Sequence, residues 1–431
     1  MLASFLALQQ SCVTTKPALD SKDLSYLYNP LKNKINPRYG VFNESDTRSV
    51  LSVKFFTNDL FFNEANPAGV PMAQMLILVK IYNLSMGRII ADTAYLDLNI
   101  VKDASKNEYL YKVPLKVEKG MEYMAEIKIM DKIREFMIQS FVPFNTLSEY
   151  NTYNFYARGH FEKNELLKPV VRKDEFFNVV YGRSRPDSLY ISVFRQSTEL
   201  PYAPYMILPE VVPAQKPDTI VALPYSDTLP LMLPRPGIYL FTVARDITEG
   251  LTLFNFGDDF PAMNTPEEMI KPLAYLMPPE DAAQLALSPK LKIALDDFWL
   301  KCGGNVEKAR ELIRIFYTRA VYANYYFSSW KEGWRTDRGM IYIIYGPPDK
   351  LYKSNEGEIW GYRRPVVRTR WGSRYSVKEE YLFFNFKHKA NRFTDNDYSL
   401  SRSEVTGSYW DKAVQSWRKG IVFRLDNPEG I

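Results

Sequence analysis

Tyr95-Leu96-Asp97-Leu98-Asn99-Ile100 alternates at every step, with Leu96, Leu98 and Ile100 set against Tyr95, Asp97 and Asn99. A period of two belongs to a β-strand with one face turned to a core. The pattern recurs on either side. Met75, Ile77, Val79 and Ile81 share one face of another strand, as do Tyr123, Ala125, Ile127 and Ile129, and Val53 with Phe55 begins a fourth. Short alternating runs broken by Asn, Gly and Pro predict an antiparallel, Ig-like β-sandwich over residues 24–160. Leu189, Ile191 and Val193 carry the pattern into a second, smaller sandwich over residues 161–256. Its Pro-rich stretch, Leu200 to Pro236, belongs at edges and in loops, and Pro236-Gly237 opens a strand that runs through Val243.

Near Asn264 the period changes to that of a helix. Thr265-Pro266-Glu267-Glu268 has the form of a capping box with proline at the first helical position. Pro272, Pro278 and Pro279 keep the first helices short. Ser288-Pro289 opens a helix with Leu291, Ala294, Leu295, Phe298 and Trp299 on one face, stopped by Gly303-Gly304. Asn305 caps the longest helix, whose stripe is Val306, Ala309, Ile313, Phe316 and Ala320. These helices form a connector over residues 257–330. After Trp330 the pattern returns to β at Met340–Tyr345, Glu358–Tyr362, Glu380–Phe386 and Ile421–Leu425. The last unit, residues 331–431, is therefore expected to be an α+β domain with an antiparallel sheet. The whole chain reads as multidomain and mainly β.

Composition narrows the function classes. A chain of 431 residues exceeds one ordinary domain, and 46% hydrophobic with 24% charged residues excludes disorder as a description of the whole. No apolar run reaches the roughly 20 residues of a membrane helix. Two His and two Cys leave little material for His-based metal sites or Cys-rich zinc modules, and neither a metal nor a cofactor is expected. His160 falls in a loop between the sandwiches, and His388 lies in a solvated run between Lys387 and Lys389. Cys302 ends a helix, where the dipole disfavours a thiolate, so it reads as a small buried apolar residue. No Gly-rich phosphate loop and no nucleophile elbow occurs. Lys331 to Ile431 holds 19 basic against 13 acidic residues, so the entire +5 excess resides in the last quarter.

Gly333-Trp334-Arg335-Thr336-Asp337, followed by Arg338-Gly339 and Gly346-Pro347-Pro348-Asp349, resembles the GWxTD domain of envelope-type proteins in Bacteroidetes and related bacteria. Tyr322-Ala323-Asn324, Phe298-Trp299 and Glu358-Ile359-Trp360-Gly361-Tyr362 extend the resemblance over Thr265 to Phe386. It implies an envelope address and supplies no reaction. Read physically, the motif is a structural corner. Gly333 suits a turn of unusual φ, and Trp334 anchors a helix-to-sheet junction. Thr336 and Asp337 accept from nearby backbone N–H groups, and Gly346-Pro347-Pro348-Asp349 stops a strand. Asp337 and Asp349 then bracket a strand about 20 Å long, beyond the roughly 5–9 Å of a glycosidase pair.

Met1 to Cys12, MLASFLALQQSC, resembles the lipobox of a bacterial lipoprotein, which makes residues 1–23 a signal-like segment and linker. The resemblance implies lipid on Cys12 and an exported chain anchored by that lipid alone, facing the periplasm at the outer membrane. Between Ile359 and Lys378 lie Arg363, Arg364, Arg368, Arg370, Arg374 and Lys378 without one acid, interleaved with Trp360, Tyr362, Trp371 and Tyr375. Arg forks and aromatic faces in a loop between two strands suit anionic lipid, acidic glycan or an acidic patch of an envelope protein. Nucleic acid is not expected as a partner of an exported chain. These features predict a non-catalytic envelope module that binds or scaffolds other envelope components. The alternative is a glycan-binding or glycan-processing protein whose aromatics stack on sugar rings.

Overall fold

The structure, a computed structural model, describes residues 22–64, 69–207, 212, 216–354, 356–364, 367–371, 374–378 and 380–426. The chain begins with β1 (Arg38–Asn43), β2 (Arg48–Phe56), β3 (Met72–Asn83), β4 (Ile89–Val101), β5 (Glu108–Lys116), β6 (Glu122–Asp131) and β7 (Phe136–Asn145). They make two antiparallel sheets, in the orders β1-β2-β5 and β4-β3-β6-β7. The predicted alternation sets their packing. Val53 and Phe55 from one sheet bury against Met75, Ile77, Val79, Ile81, Ala125 and Ile127 from the other, in one core. Leu96 and Leu98 pack against that core and Ile100 joins it, while Tyr95 points away, 72% exposed. Each aliphatic side chain so buried stabilises the fold by about 1.5–3 kcal/mol.

Next come β8 (Phe155–Gly159), β9 (Phe177–Tyr181), β10 (Ser188–Phe194), β11 (Thr219–Pro224), β12 (Gly237–Thr242) and β13 (Leu251–Asn255). β8 pairs with β9, and the others form a sheet in the order β11-β10-β12-β13. Phe155 and Val179 share a core with Leu189, Phe241 and Leu253, so these two sheets also face each other. The Pro-rich stretch supplies the edge strand β11, where a missing N–H does no harm.

The helices are α1 (Pro266–Ile270), α2 (Pro279–Ala286), α3 (Leu291–Gly303) and α4 (Val306–Phe327). The Thr265 hydroxyl accepts from Glu268 N at 3.3 Å, and the Asn305 side chain accepts from Lys308 N at 2.8 Å. Both caps are the ones the sequence predicts. Ala309, Phe316 and Ala320 of the expected α4 stripe bury, joined by Leu312, Ala323 and Phe327, whereas Ile313 is only partly buried and Val306 at the helix start stays 45% exposed. Cys302 is buried, and burial pushes its thiol up.

Met340–Tyr345 is not a strand but part of the helix α5 (Asp337–Tyr345). Every residue of α5 is buried, so no polar face marks its period and the β-branched run reads as a strand. The Thr336 hydroxyl decides the matter by accepting from Gly339 N at 3.0 Å, an N-cap that starts a helix.

β14 (Lys350–Ser354), β15 (Gly357–Arg363), β16 (Val367–Trp371), β17 (Arg374–Lys378), β18 (Tyr381–His388) and β19 (Tyr398–Leu400) follow, then α6 (Glu404–Gly407) and α7 (Trp410–Arg418). The sheet order is β14-β15-β18-β19, while β16 and β17 pair only with each other among the described strands. Ile421–Leu425, expected as a strand, takes no regular secondary structure over residues 421–424. Phe423 and Leu425 bury alternately, but the segment has no ladder partner among the described residues and is not a strand. Helices and sheet share one core, in which Trp299, Phe316, Trp334, Trp360 and Trp417 are fully buried.

Candidate functional site

The GWxTD-like corner joins α4 to α5, so Trp334 sits at a helix-to-helix junction and not a helix-to-sheet one. Gly333 is required for space and not for φ. A Cβ there would lie 2.0 Å from the Ala323 carbonyl oxygen, and one on Gly339 would lie 1.9 Å from that of Gly333. This ties the Tyr322-Ala323-Asn324 segment directly to the corner. The Asn324 side chain accepts from Trp334 N at 3.1 Å and donates to Pro261 O at 3.1 Å. The Trp334 carbonyl accepts from the Tyr275 hydroxyl at 2.7 Å, and the Arg335 guanidinium covers the indole at 4.2 Å. Thr336 accepts from a nearby backbone N–H as expected, but as the cap of a helix and not in a turn before a strand. Asp337 reaches further than its own turn, accepting from Leu400 N at 2.7 Å and pairing with Arg402. An acid at the start of α5 also suits the helix dipole.

Gly346-Pro347-Pro348-Asp349 ends this helix rather than a strand. Gly346 has φ +86°, and its carbonyl accepts from Tyr362 Oη at 2.8 Å. Arg319 donates to the α5 carbonyls of Ile343 and Ile344 at 3.0 and 3.2 Å. Asp349 accepts from Arg363 N at 2.9 Å. Asp337 and Asp349 thus flank opposite ends of α5, each holding backbone of a different strand, and the structure does not bring them together.

The basic segment is not a loop. Arg368, Arg370 and Trp371 lie on β16, and Arg374, Tyr375 and Lys378 on β17, with Arg370 opposite Tyr375 and Trp371 opposite Arg374. Their side chains lie outside the described residues. Arg363 and Arg364 belong to the base of this ribbon, where Arg364 N donates to Glu380 O at 2.8 Å and the Arg364 guanidinium lies 5.8 Å from the Tyr409 ring. Trp360 and Tyr362 are buried in the core and offer no stacking surface. Cys12 also lies outside the described residues.

His160 follows β8 in a turn and meets the Asn178 side chain at 3.3 Å. His388 ends β18, with Nε2 at 3.0 Å from Asp395 O. Among the described residues no group of three His, Cys, Asp or Glu is placed to hold a metal ion. A cleft of about 400 Å³ opens where the first two pairs of sheets meet the turn at residues 391–395, lined by Tyr39, Phe42, Tyr153, Tyr156, Glu165 and Asp395. Its carboxylates are engaged: Glu165 by Ser52 and Lys112, Asp395 by the Tyr153 hydroxyl.

A buried charge cluster beneath the corner escapes the sequence reading. Glu358, with no exposed side-chain surface, contacts Arg338 at 3.1 Å and Lys353 at 2.9 Å. Its carboxylate also accepts from the Tyr28 hydroxyl at 2.7 Å and Trp360 Nε1 at 2.9 Å. Burial alone would raise this carboxyl. The Lys353 and Arg338 cations, with hydrogen bonds from Lys353 and Tyr28, outweigh burial and hold it at about 2. The signal was present, because Glu358 shares the inward register of Trp360 and Tyr362 on a half-buried strand.

Residues 237–419 match the GWxTD domain family. No curated protein matches the chain. Among solved structures, a Bacteroides uniformis β-glucuronidase 2 is 13% identical over 28% of this chain and 13% of its own, at a TM-score of 0.18. A putative β-galactosidase of Bacteroides fragilis is 11% identical over 33% of this chain and 20% of its own, also at 0.18. A Parabacteroides merdae β-glucuronidase is 14% identical over 32% and 17%, at 0.16. The chain spans a fifth or less of these enzymes' length, and likeness at this level carries no argument about activity.

Proposed function

On the premise that the chain carries a GWxTD domain over residues 237–419, we propose that it is a non-catalytic cell-envelope module that binds or scaffolds other envelope components. In this reading it is exported, anchored by lipid on Cys12, and faces the periplasm at the outer membrane. The contact is the β16–β17 ribbon, which grips phosphate or carboxylate groups of an envelope partner. The observation that carries the proposal is the ribbon itself. Three arginines and a lysine lie on two short strands that pair with no other described strand. Burial of Trp299, Trp334, Trp360 and Trp417 in the core supports scaffold over sugar platform. The aromatic cleft at Tyr39, Phe42, Tyr153 and Tyr156 favours a second reading, glycan binding.

Arg363 and Arg364 belong to the ribbon base, so the informative variant replaces Arg368, Arg370, Arg374 and Lys378 with Ser. Each cation contributes about 1 kcal/mol at an anionic lipid surface, so vesicles rich in phosphatidylglycerol should bind at least about tenfold more weakly. Wild-type binding should also weaken with salt. Crosslinking pull-downs from membranes, with the same variant, test a protein partner. Unchanged binding in both assays at low salt removes the ribbon from the proposal. The anchor is tested separately by metabolic labelling with a fatty-acid analogue, where Cys12→Ala should abolish incorporation; equal labelling ends the lipoprotein reading.

A further inference from the structure

Residues 237–419 contain most of the last domain's core but not all of it. Leu24 and Tyr28, some two hundred residues earlier in the chain, are 2% and 7% exposed in the same cluster as Trp334 and Trp360. We propose that Asp23–Tyr28 is an intramolecular peptide ligand of the GWxTD domain, docked in a tyrosine-reading seat formed by β14, β15, α4 and α5.

The seat engages the segment at both ends. At its start the segment covers the free edge of β14. Leu24 N donates to Leu351 O at 2.8 Å, Leu351 N donates to Asp23 Oδ1 at 3.1 Å, and Lys350 pairs with Asp23 at 3.1 Å. An open sheet edge is the standard receptor for an added peptide strand. At its end Tyr28 enters an aromatic box, with ring centroids 4.9 Å from Phe327 and 5.4 Å from Tyr326 and Trp360. Its hydroxyl donates to Glu358, and its carbonyl accepts from Tyr342 Oη at 2.9 Å. Backbone pairing, an aromatic pocket and a buried carboxylate at its floor form the recognition set of a peptide site. Beyond Tyr28 the chain leaves the seat through a turn where Leu31 is 94% exposed. The link between ligand and first sheets is therefore accessible, while Leu24, Ser25 and Tyr28 are buried and Tyr26 between them meets Gln139 of β7.

The test uses the full chain with a protease recognition sequence inserted at Leu31. After cleavage, the N-terminal piece is expected to co-elute with the body in gel filtration. A fluorescent peptide spanning residues 22–31 should exchange into the seat. Tyr28→Phe, which keeps the ring and removes the hydroxyl, should speed release about tenfold, as expected for one hydrogen bond to a charged group. A labelled Tyr28→Ala peptide should not incorporate into the wild-type body, which avoids any question of whether the altered chain folds. Separation of the wild-type piece on cleavage, or equal uptake of the Tyr28→Ala peptide, would overturn the proposal.

Discussion

Arg338→Leu is expected to destabilise the protein by about 3–5 kcal/mol, the loss typical of leaving one member of a buried ion pair without its partner. The side chains of Arg338 and Glu358 are 2% and 0% exposed. The guanidinium also donates to Asn396 O at 3.0 Å and Asn396 Oδ1 at 2.6 Å, and lies 3.9 Å from the Tyr398 ring and 5.1 Å from Phe327. Leucine fills part of that volume but satisfies neither oxygen. The pH dependence supplies a second readout. Glu358 is held at about 2, below its ordinary 4.5, so its contribution is complete above 4.5 and is lost as pH falls toward 2. With one cation gone, the folded-state value rises toward 4.5, so the acid-dependent loss becomes smaller and is complete at a higher pH. Urea unfolding at neutral pH and again in mild acid measures both effects. A cost under about 1 kcal/mol, or an unmoved acid limb, would refute the account. Glu358→Gln serves as the control, since it removes the charge and with it the acid dependence.

The parts of this fold that sequence reveals are those where one face is wet. Alternation at Tyr95–Ile100 reports a strand because Tyr95 sees solvent while Ile100 does not. Thr265 and Asn305 report helix starts because caps are local chemistry. Around α5 nothing is wet, so period is lost and only the Thr336 cap distinguishes helix from strand. Gly333 was legible as indispensable but for the wrong reason, since close approach to Ala323 depends on a helix ten residues upstream. The strap at Asp23–Tyr28 was illegible in principle. Its partners Leu351 and Glu358 lie more than three hundred residues away, and a single tyrosine carries no pattern. The basic ribbon was visible as charge but not as structure, because its register sets Arg370 opposite Tyr375 and Trp371 opposite Arg374, so no wholly apolar face marks it as a strand pair.

Trp334→Ala separates the corner from the ribbon, because its expected cost of about 3–5 kcal/mol falls on stability and not on binding. The indole is fully buried, packed edge-on to Tyr275 at 6.1 Å and covered by Arg335. Its N–H has no hydrogen-bond partner among the described residues, so the side chain serves by volume. Trp334→Phe should therefore cost distinctly less than alanine, which a hydrogen-bonding role would not allow. Gly333→Ala should fail in a different way. A methyl 2.0 Å from the Ala323 carbonyl must push α4 away from the turn, breaking the Asn324 contacts that align both helices. Thermal unfolding of the three variants ranks them. The ribbon variant, with Arg368, Arg370, Arg374 and Lys378 replaced, should melt like the native protein and lose anionic binding. If instead Trp334→Ala melts normally and binding is lost, the corner is the contact surface and the ribbon is not.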